Sequence, residues 1–330
     1  MKAECGVARL EAGAGFRFTQ IAAARDRTEL RLAERRERFG SVDVDRGGTV
    51  VLMGSWGRRE VTSESDDDFM LLFEGAARED AHPTIGRVAE VLEARAPGPE
   101  DVFGAQVWLG DLRGKIGRDE DTNTNLTRRM LFVLESVPVC GEDAFASARR
   151  ALIAGYLDAN VKDYRPPRFL LNDVIRYWRT IAVDFESKMR ARKGEGWGLR
   201  NAKLRLSRKA LFAGGLLPVL ECYRHPASAM LGYLDARMSV APLDRIADAF
   251  VDHQALDPGA RALSAYDAFL AILGDREQRA TLNNTRAENA RDSPVFARVA
   301  ELGKEFEAGL LSLLFEDPEL RRWVRQYIVF

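Results

Sequence analysis

The sequence predicts an α+β protein: a small sheet-bearing domain over residues 1–125, followed by a mostly helical domain over 126–330. Three observations carry this expectation. Two short apolar runs rich in β-branched or aromatic residues, Thr49–Met53 and Phe69–Phe73, read as buried strands. From about Asn125 onward the apolar residues recur at helical spacing. The connections between those periodic stretches carry Gly and Pro, as in Tyr164-Arg-Pro-Pro167 and Arg192-Lys-Gly-Glu-Gly196.

A helix is expected over Thr19–Arg38, where apolar positions lie on one side of a charged surface. Thr49–Met53 is closed by Gly54 and followed, after a polar stretch, by Phe69–Phe73. Pro83–Ala96 reads as a helix with Pro83 in its first turn, ended by Gly98 and Pro99. A third strand is expected around Val102–Leu109. The helical part is read as Leu126–Glu135, Ala144–Leu157, Leu170–Lys188, Leu199–Ala213, Leu243–Phe250 and Ala297–Leu314. The amphipathic, aromatic run Leu320–Phe330 is expected to dock on the body of the protein.

A chain of 330 residues is long for one core and comfortable for two. A net charge of −1 shows no basic excess that would advertise an extended nucleic-acid surface. Cys5, Cys140 and Cys222 are scattered, without metal-ligand spacing or the pattern of a disulfide framework. The first residues lack the apolar core of a signal peptide, and no apolar run approaches membrane-spanning length. Together these lead us to expect a cytoplasmic protein without a membrane partner. His82, His225 and His253 lie far apart with no partner spacing, and structural or surface roles are expected for them.

The segment that carries chemistry is Gly54-Ser-Trp-Gly-Arg-Arg-Glu-Val-Thr-Ser-Glu-Ser-Asp-Asp-Asp-Phe69, between the first two strands. Side chains alternate along a strand, so Asp66 and Asp68 point one way and Asp67 the other. Two carboxylates side by side repel one another unless a cation sits between them. Hard oxygen ligands suit magnesium, which takes its remaining ligands from water and substrate phosphates. Gly54 permits a tight turn where the backbone must approach a ligand. Ser55 offers a hydroxyl and an amide to phosphate oxygens, and a helical turn after it would add its positive end. Arg58 or Arg59 adds charge, Glu60 is placed to hold one of these arginines, and Ser65 to fix the turn into the second strand. A solvated acidic loop is the plainer reading, but this run leads straight into a buried strand.

This segment resembles the Gly-Ser, spacer, Asp-x-Asp signature of the DNA polymerase β nucleotidyltransferase superfamily. In the form Gly-Ser-x-x-Arg-x-Glu-x-x-x-x-Ser-Asp-x-Asp it is most similar to the bacterial protein adenylyl- and uridylyltransferases. The resemblance implies that the N-terminal domain is a nucleotidyltransferase domain. Gly54 and Ser55 would contact a nucleoside triphosphate such as ATP, and Asp66 and Asp68 would hold two magnesium ions and carry catalysis; Arg58 is a further candidate for the nucleotide from its charge and place in the turn. It also implies transfer of a nucleoside monophosphate to an acceptor: a protein side chain first, then a small molecule such as an aminoglycoside, then an RNA end. One position departs from the pattern. Most active members carry a third carboxylate on a later strand, where this chain has Gln106. Either Asp101, Asp111, Asp119, Glu120 or Asp121 is recruited, or the site works with two carboxylates. A catalytically inactive nucleotide-binding sensor is the alternative that this departure keeps open.

Two helical stretches are richer than packing requires. Asn125 or Thr127 is placed to cap a helix whose first turn would hold Arg128 and Arg129, cations the helix dipole disfavours there. Either a triphosphate or Asp121 resolves that conflict. Further on, Arg200, Lys203 and Ser207 follow one stripe of a helix. An amphipathic helix with a solvated basic face explains the stripe. The resemblance implies instead that Lys203 and Ser207 bind the triphosphate, with the helical domain completing the nucleotide cleft. Tyr177, Trp178 and Trp197 stand near these positions as candidates to stack on a base, or as core.

Overall fold

In the computed structural model, which describes residues 5–40, 44, 47–75, 84–92, 102–157 and 161–329, the chain is an α+β protein with one four-stranded mixed sheet and a predominance of helix. The strands are β1 (Gly48–Met53), β2 (Phe69–Phe73), β3 (Ala105–Trp108) and β4 (Ser136–Cys140). The earlier helices are α1 (Gly6–Ala14), α2 (Thr19–Phe39), α3 (Thr84–Leu92), α4 (Leu109–Gly114), α5 (Asn123–Leu134), α6 (Glu142–Leu157) and α7 (Arg168–Ala191). The later ones are α8 (Trp197–Lys203), α9 (Lys209–Glu221), α10 (Ala227–Met238), α11 (Pro242–Asp252), α12 (Leu256–Gly274), α13 (Arg276–Asn284), α14 (Pro294–Glu316) and α15 (Pro318–Val324). Among the described residues no helix is long and apolar enough to cross a membrane.

Two compact units form, and they interleave along the sequence. One comprises Arg25–Asp173 and Cys222–Ala241, the other Met1–Ala24, Val174–Glu221 and Pro242–Phe330. The boundary expected between residues 125 and 126 therefore does not separate them. The reason is packing: α5 and α6 lie against β1 and β4, so the sheet unit continues through α6.

The sheet runs in the order β3-β2-β1-β4, with β1 antiparallel to both neighbours and β3 parallel to β2. One face carries Val50, Leu52, Phe69, Leu71, Phe73, Trp108, Val137 and Val139, packed with Leu32 and Phe39 of α2 and Val88, Ala89 and Leu92 of α3. With helices on both faces, β1 and β2 are buried at every position, which is why their sequences are unbroken apolar runs. The sequence reading did not foresee β4, because Pro138 interrupts it. As an edge strand β4 tolerates a residue with no N–H to give. The carbonyl of Pro138 accepts from the Arg36 guanidinium at 3.2 and 3.3 Å.

In the other unit α1 packs on α11, α11 on α9, and α12 along α14. Between α8 and α9 the helix continues through a π-helical turn, Leu204–Arg208. α15 packs on α14 and α9, as expected for the C-terminal run. The carboxylate of Asp317 starts α15 by accepting from the Leu320 amide at 2.8 Å, and it lies 2.9 Å from His253 Nδ1. Burial pushes the Asp317 carboxyl up, but the Leu320 amide and His253 outweigh it and hold it below the usual carboxylate range. A lowered folded value means the group stabilises the fold above the ordinary carboxylate pKa of about 4, and that this contribution fades as pH falls through the lowered value. Asp317→Asn is therefore expected to flatten the loss of thermal stability on acidification below about pH 4. A melting series against pH with a slope unchanged from wild type would reject this.

Candidate functional site

The candidate site is built where β1 runs into β2. β1 ends at Met53, and the next residue, Gly54, has φ 69°, a left-handed conformation that favours glycine. A single helical turn follows, in which the Arg58 amide donates to the Gly54 carbonyl at 3.1 Å and the Glu60 amide to the Ser55 carbonyl at 2.8 Å. The amides of Ser55, Trp56 and Gly57 occupy the open start of this turn and have no hydrogen-bond partner among the described residues. Gly57 permits the turn to press on the α5–β4 junction: a Cβ there would lie 1.9 Å from the Glu135 carbonyl oxygen.

Two side chains that the sequence reading did not single out fix this turn to its surroundings. Trp56 is fully buried, and its indole N–H donates to the Asp66 carbonyl at 3.1 Å, fastening the Gly-Ser turn to the acidic stretch. Glu135 joins Glu60 in gripping Arg58, which is 7% exposed. Glu60 does hold this arginine in position. Glu60 and Glu135 thus hold the Arg58 guanidinium at the base of the turn. Ser65 closes the loop as expected, its Oγ accepting from the Thr62 amide at 2.9 Å.

The three aspartates then separate by strand alternation. The Asp68 carbonyl accepts from the Met53 amide at 2.8 Å, extending the β1–β2 ladder by one residue. Asp67 shares its parity with Phe69, Leu71 and Phe73 and lies on the α2 side, where Arg35 Nη2 meets its Oδ2 at 2.8 Å. Burial raises the Asp67 carboxyl above its ordinary range, while Arg35, Arg31 and Trp56 pull it back. Asp66 and Asp68 have the opposite parity. Asp66 is exposed and Asp68 half-buried. Asp68 Oδ2 lies 3.9 Å from where a Cβ on Gly54 would be, so its carboxylate borders the Gly-Ser turn.

The third-carboxylate question changes with the register. β3 pairs with β2 so that Leu71 faces Gln106 and Phe73 faces Trp108. Gln106 therefore shares the parity of Asp67 rather than that of Asp68. The β3 positions on the Asp68 side are Ala105 and Val107, with Phe103 next in sequence at that parity. Among the acids proposed for recruitment, Asp101 lies outside the described residues. Asp121 is buried against Arg129 at 2.6 Å, and Asp119 and Glu120 are exposed. Among the described residues no group of three or more His, Cys, Asp or Glu side chains gathers as a metal site. Asp66 and Asp68 are a donor set that suits magnesium, an ion that takes one or two carboxylates together with substrate phosphates.

The tension around Arg129 resolves inside the protein. Thr122, not Asn125 or Thr127, caps α5, accepting from the Asn125 amide at 3.1 Å. Arg129 is met by Asp121 rather than by a ligand.

In the other unit, Lys203 ends α8 half-exposed, whereas Ser207 is 2% exposed within the π-helical turn. A π turn inserts a residue into the 3.6 period, so Arg200, Lys203 and Ser207 do not continue as one stripe. Arg205 donates to Asn201 Oδ1 at 2.6 Å, and its stem packs on Gly303. Tyr177 is buried, Trp178 stacks on Phe212, and Trp197 packs on Phe296. Of the histidines, His253 lies between Glu221 and Asp317, His225 packs on Tyr233, and His82 is outside the described residues.

No family model, curated protein or solved structure matches this chain.

Proposed function

We propose that the sheet unit is a magnesium-dependent nucleotidyltransferase domain. The observation that carries this reading is the juxtaposition of the Gly54-Ser55 turn with the Asp68 carboxylate, while Arg35 draws Asp67 to the opposite side. Asp66 and Asp68 would hold the metal, and the open amides after Gly54 would receive phosphate oxygens. When bound, magnesium supplies charge neutralisation on the phosphates and lowers the pKa of a coordinated hydroxyl. In the reaction, the acceptor oxygen attacks the α-phosphorus, the bond between that phosphorus and the bridging oxygen breaks, and pyrophosphate leaves. The acceptor proton passes to solvent. The chain's contribution is chiefly position and electrostatics. We favour a protein side chain as acceptor, ahead of a small molecule or an RNA end. Lys203 and Ser207 remain proposed triphosphate contacts on the strength of the sequence resemblance.

A second reading, a nucleotide sensor without turnover, is favoured by one observation: the β3 positions of Asp68 parity carry no acid. The test is incubation with each α-labelled nucleoside triphosphate and magnesium, first alone and then in cell lysate. Transfer predicts pyrophosphate release and a labelled species that mass spectrometry identifies. A sensor binds the nucleotide and returns it intact. Protein that neither binds nor turns over any of the four triphosphates would reject both readings.

Asp67 provides an internal control. Asp67→Asn keeps an oxygen for Arg35 to donate to, so transfer is expected to stay within about fivefold of wild type, or about 1 kcal/mol. A loss as deep as that for Asp68 would mean the metal ligands have been assigned with the wrong parity.

A further inference from the structure

We infer that α2 is a positioning scaffold for the acidic stretch, acting through a ladder of three arginines, Arg27, Arg31 and Arg35. The inference rests on the reading of Asp66 and Asp68 as metal ligands and extends it to the residues that set their geometry.

The loop between the Gly-Ser turn and β2 has no helix or strand of its own between Glu60 and Asp68. Its backbone polar groups need partners. α2 supplies some of them, and an anchor for one side chain, at successive turns. Arg27 Nε donates to the Val61 carbonyl at 3.0 Å, and Arg31 Nη1 to the Thr62 carbonyl at 2.7 Å. Arg35 donates to Asp67 Oδ2 through Nε at 3.0 Å and Nη2 at 2.8 Å. The spacing of four residues puts the three guanidinium groups on one face of the helix. Between the first two, the buried Thr28 hydroxyl accepts from the Val61 amide at 3.1 Å. The Arg35 guanidinium also lies over the Trp56 ring, 5.9 Å from its centre, and Trp56 holds the Asp66 carbonyl.

The consequence is mechanical. In a strand, the direction of one side chain fixes its neighbours, so anchoring Asp67 to α2 commits Asp66 and Asp68 to the other side. Two like-charged carboxylates held together in the absence of a cation repel and would drive the stretch to twist. The Arg35–Asp67 contact opposes that twist. Arg35 touches neither nucleotide nor metal and acts only through the loop.

The experiment measures Mn²⁺ uptake, with and without ATP, by the electron paramagnetic resonance signal of free Mn²⁺. It pairs this with amide hydrogen exchange over residues 60–68, in wild type, Arg35→Ala and Arg35→Lys. The expected result is a Kd for Mn²⁺ raised about five- to twentyfold in Arg35→Ala, with faster exchange confined to the loop. Arg35→Lys should fall between wild type and Arg35→Ala in both. A mere packing role would lower the melting temperature without changing metal affinity. Loop exchange unchanged in Arg35→Ala, or metal affinity unchanged although the loop has loosened, would overturn the ladder while leaving the metal site standing. Wild-type protein that takes up no Mn²⁺ in either condition would instead overturn the reading of Asp66 and Asp68, and the positioning role with it.

Discussion

Asp66→Asn and Asp68→Asn are each expected to lower nucleotidyl transfer by about a thousandfold or more while leaving the fold intact. A thousandfold corresponds to about 4 kcal/mol of transition-state stabilisation, in the range a metal supplies at a transferring phosphoryl group. Both residues bond to the fold through their backbones. Asp66 serves the fold through its carbonyl, which accepts from Trp56, and Asp68 through its carbonyl, which accepts from Met53. Asparagine retains both bonds. Relieving one member of a like-charged pair removes a repulsion, so the melting temperature of the metal-free variants should hold or rise. The measurement is pyrophosphate release under saturating triphosphate and magnesium, beside a thermal melt. Full turnover in both variants would remove these aspartates from the chemistry. Loss of turnover accompanied by unfolding would show that the side chains are structural.

Much of this arrangement is legible in the chain because the relevant signals are local. β1 and β2 announce themselves as apolar runs on either side of the Gly-Ser turn, and alternation assigns Asp66 and Asp68 to one side without further help. Ser65 and Glu60 also act on groups within a few residues. What cannot be read comes from elsewhere in the chain. Glu135 reaches Arg58 from 77 positions away, and Arg35 reaches Asp67 from 32. Gln106 was set against the aspartates because a strand's parity is known only once its partner register is known. The π turn at Leu204–Arg208 leaves no mark in periodicity, so a stripe drawn at 3.6 residues per turn passes through it unbroken. α12 is hidden by Pro258 and Gly259, which read as breakers. Gly259 instead lets the helix approach Phe250, where a Cβ would lie 2.7 Å from the ring.

The largest expected effect on stability lies in the same unit, at Arg129, which is fully buried. All five of its N–H groups are used. Nη1 donates to the Leu112 carbonyl at 3.0 Å and to Asp121 Oδ1 at 3.2 Å. Nη2 donates to Asp121 Oδ2 at 2.6 Å and Asp173 Oδ2 at 2.8 Å, and Nε to the Tyr156 hydroxyl at 2.5 Å. The hydroxyl in turn donates to Asp173 at 2.7 Å. Burial alone would lower the Arg129 pKa, but Asp121 and Asp173 raise it more, so the group stays charged at every working pH. The network thereby joins the carbonyl end of α4, the loop before α5, α5 itself, α6 and the second turn of α7. Arg129→Met removes the guanidinium that the buried Asp121 and Asp173 carboxylates share, a change that costs about 3–5 kcal/mol. Against a total stability of roughly 5–15 kcal/mol, that is enough to populate unfolded chains. Arg129→Lys keeps the charge but not the planar fork, and should fall between the two. The decisive variant combines Arg129→Met with Asp121→Asn and Asp173→Asn. If the penalty comes from stranded charge, neutralising both acids should return at least half of the lost stability. Urea unfolding followed by tryptophan fluorescence reads all three. A single Arg129→Met variant within about 1 kcal/mol of wild type would show that water or rearrangement solvates the acids, and that the network is dispensable.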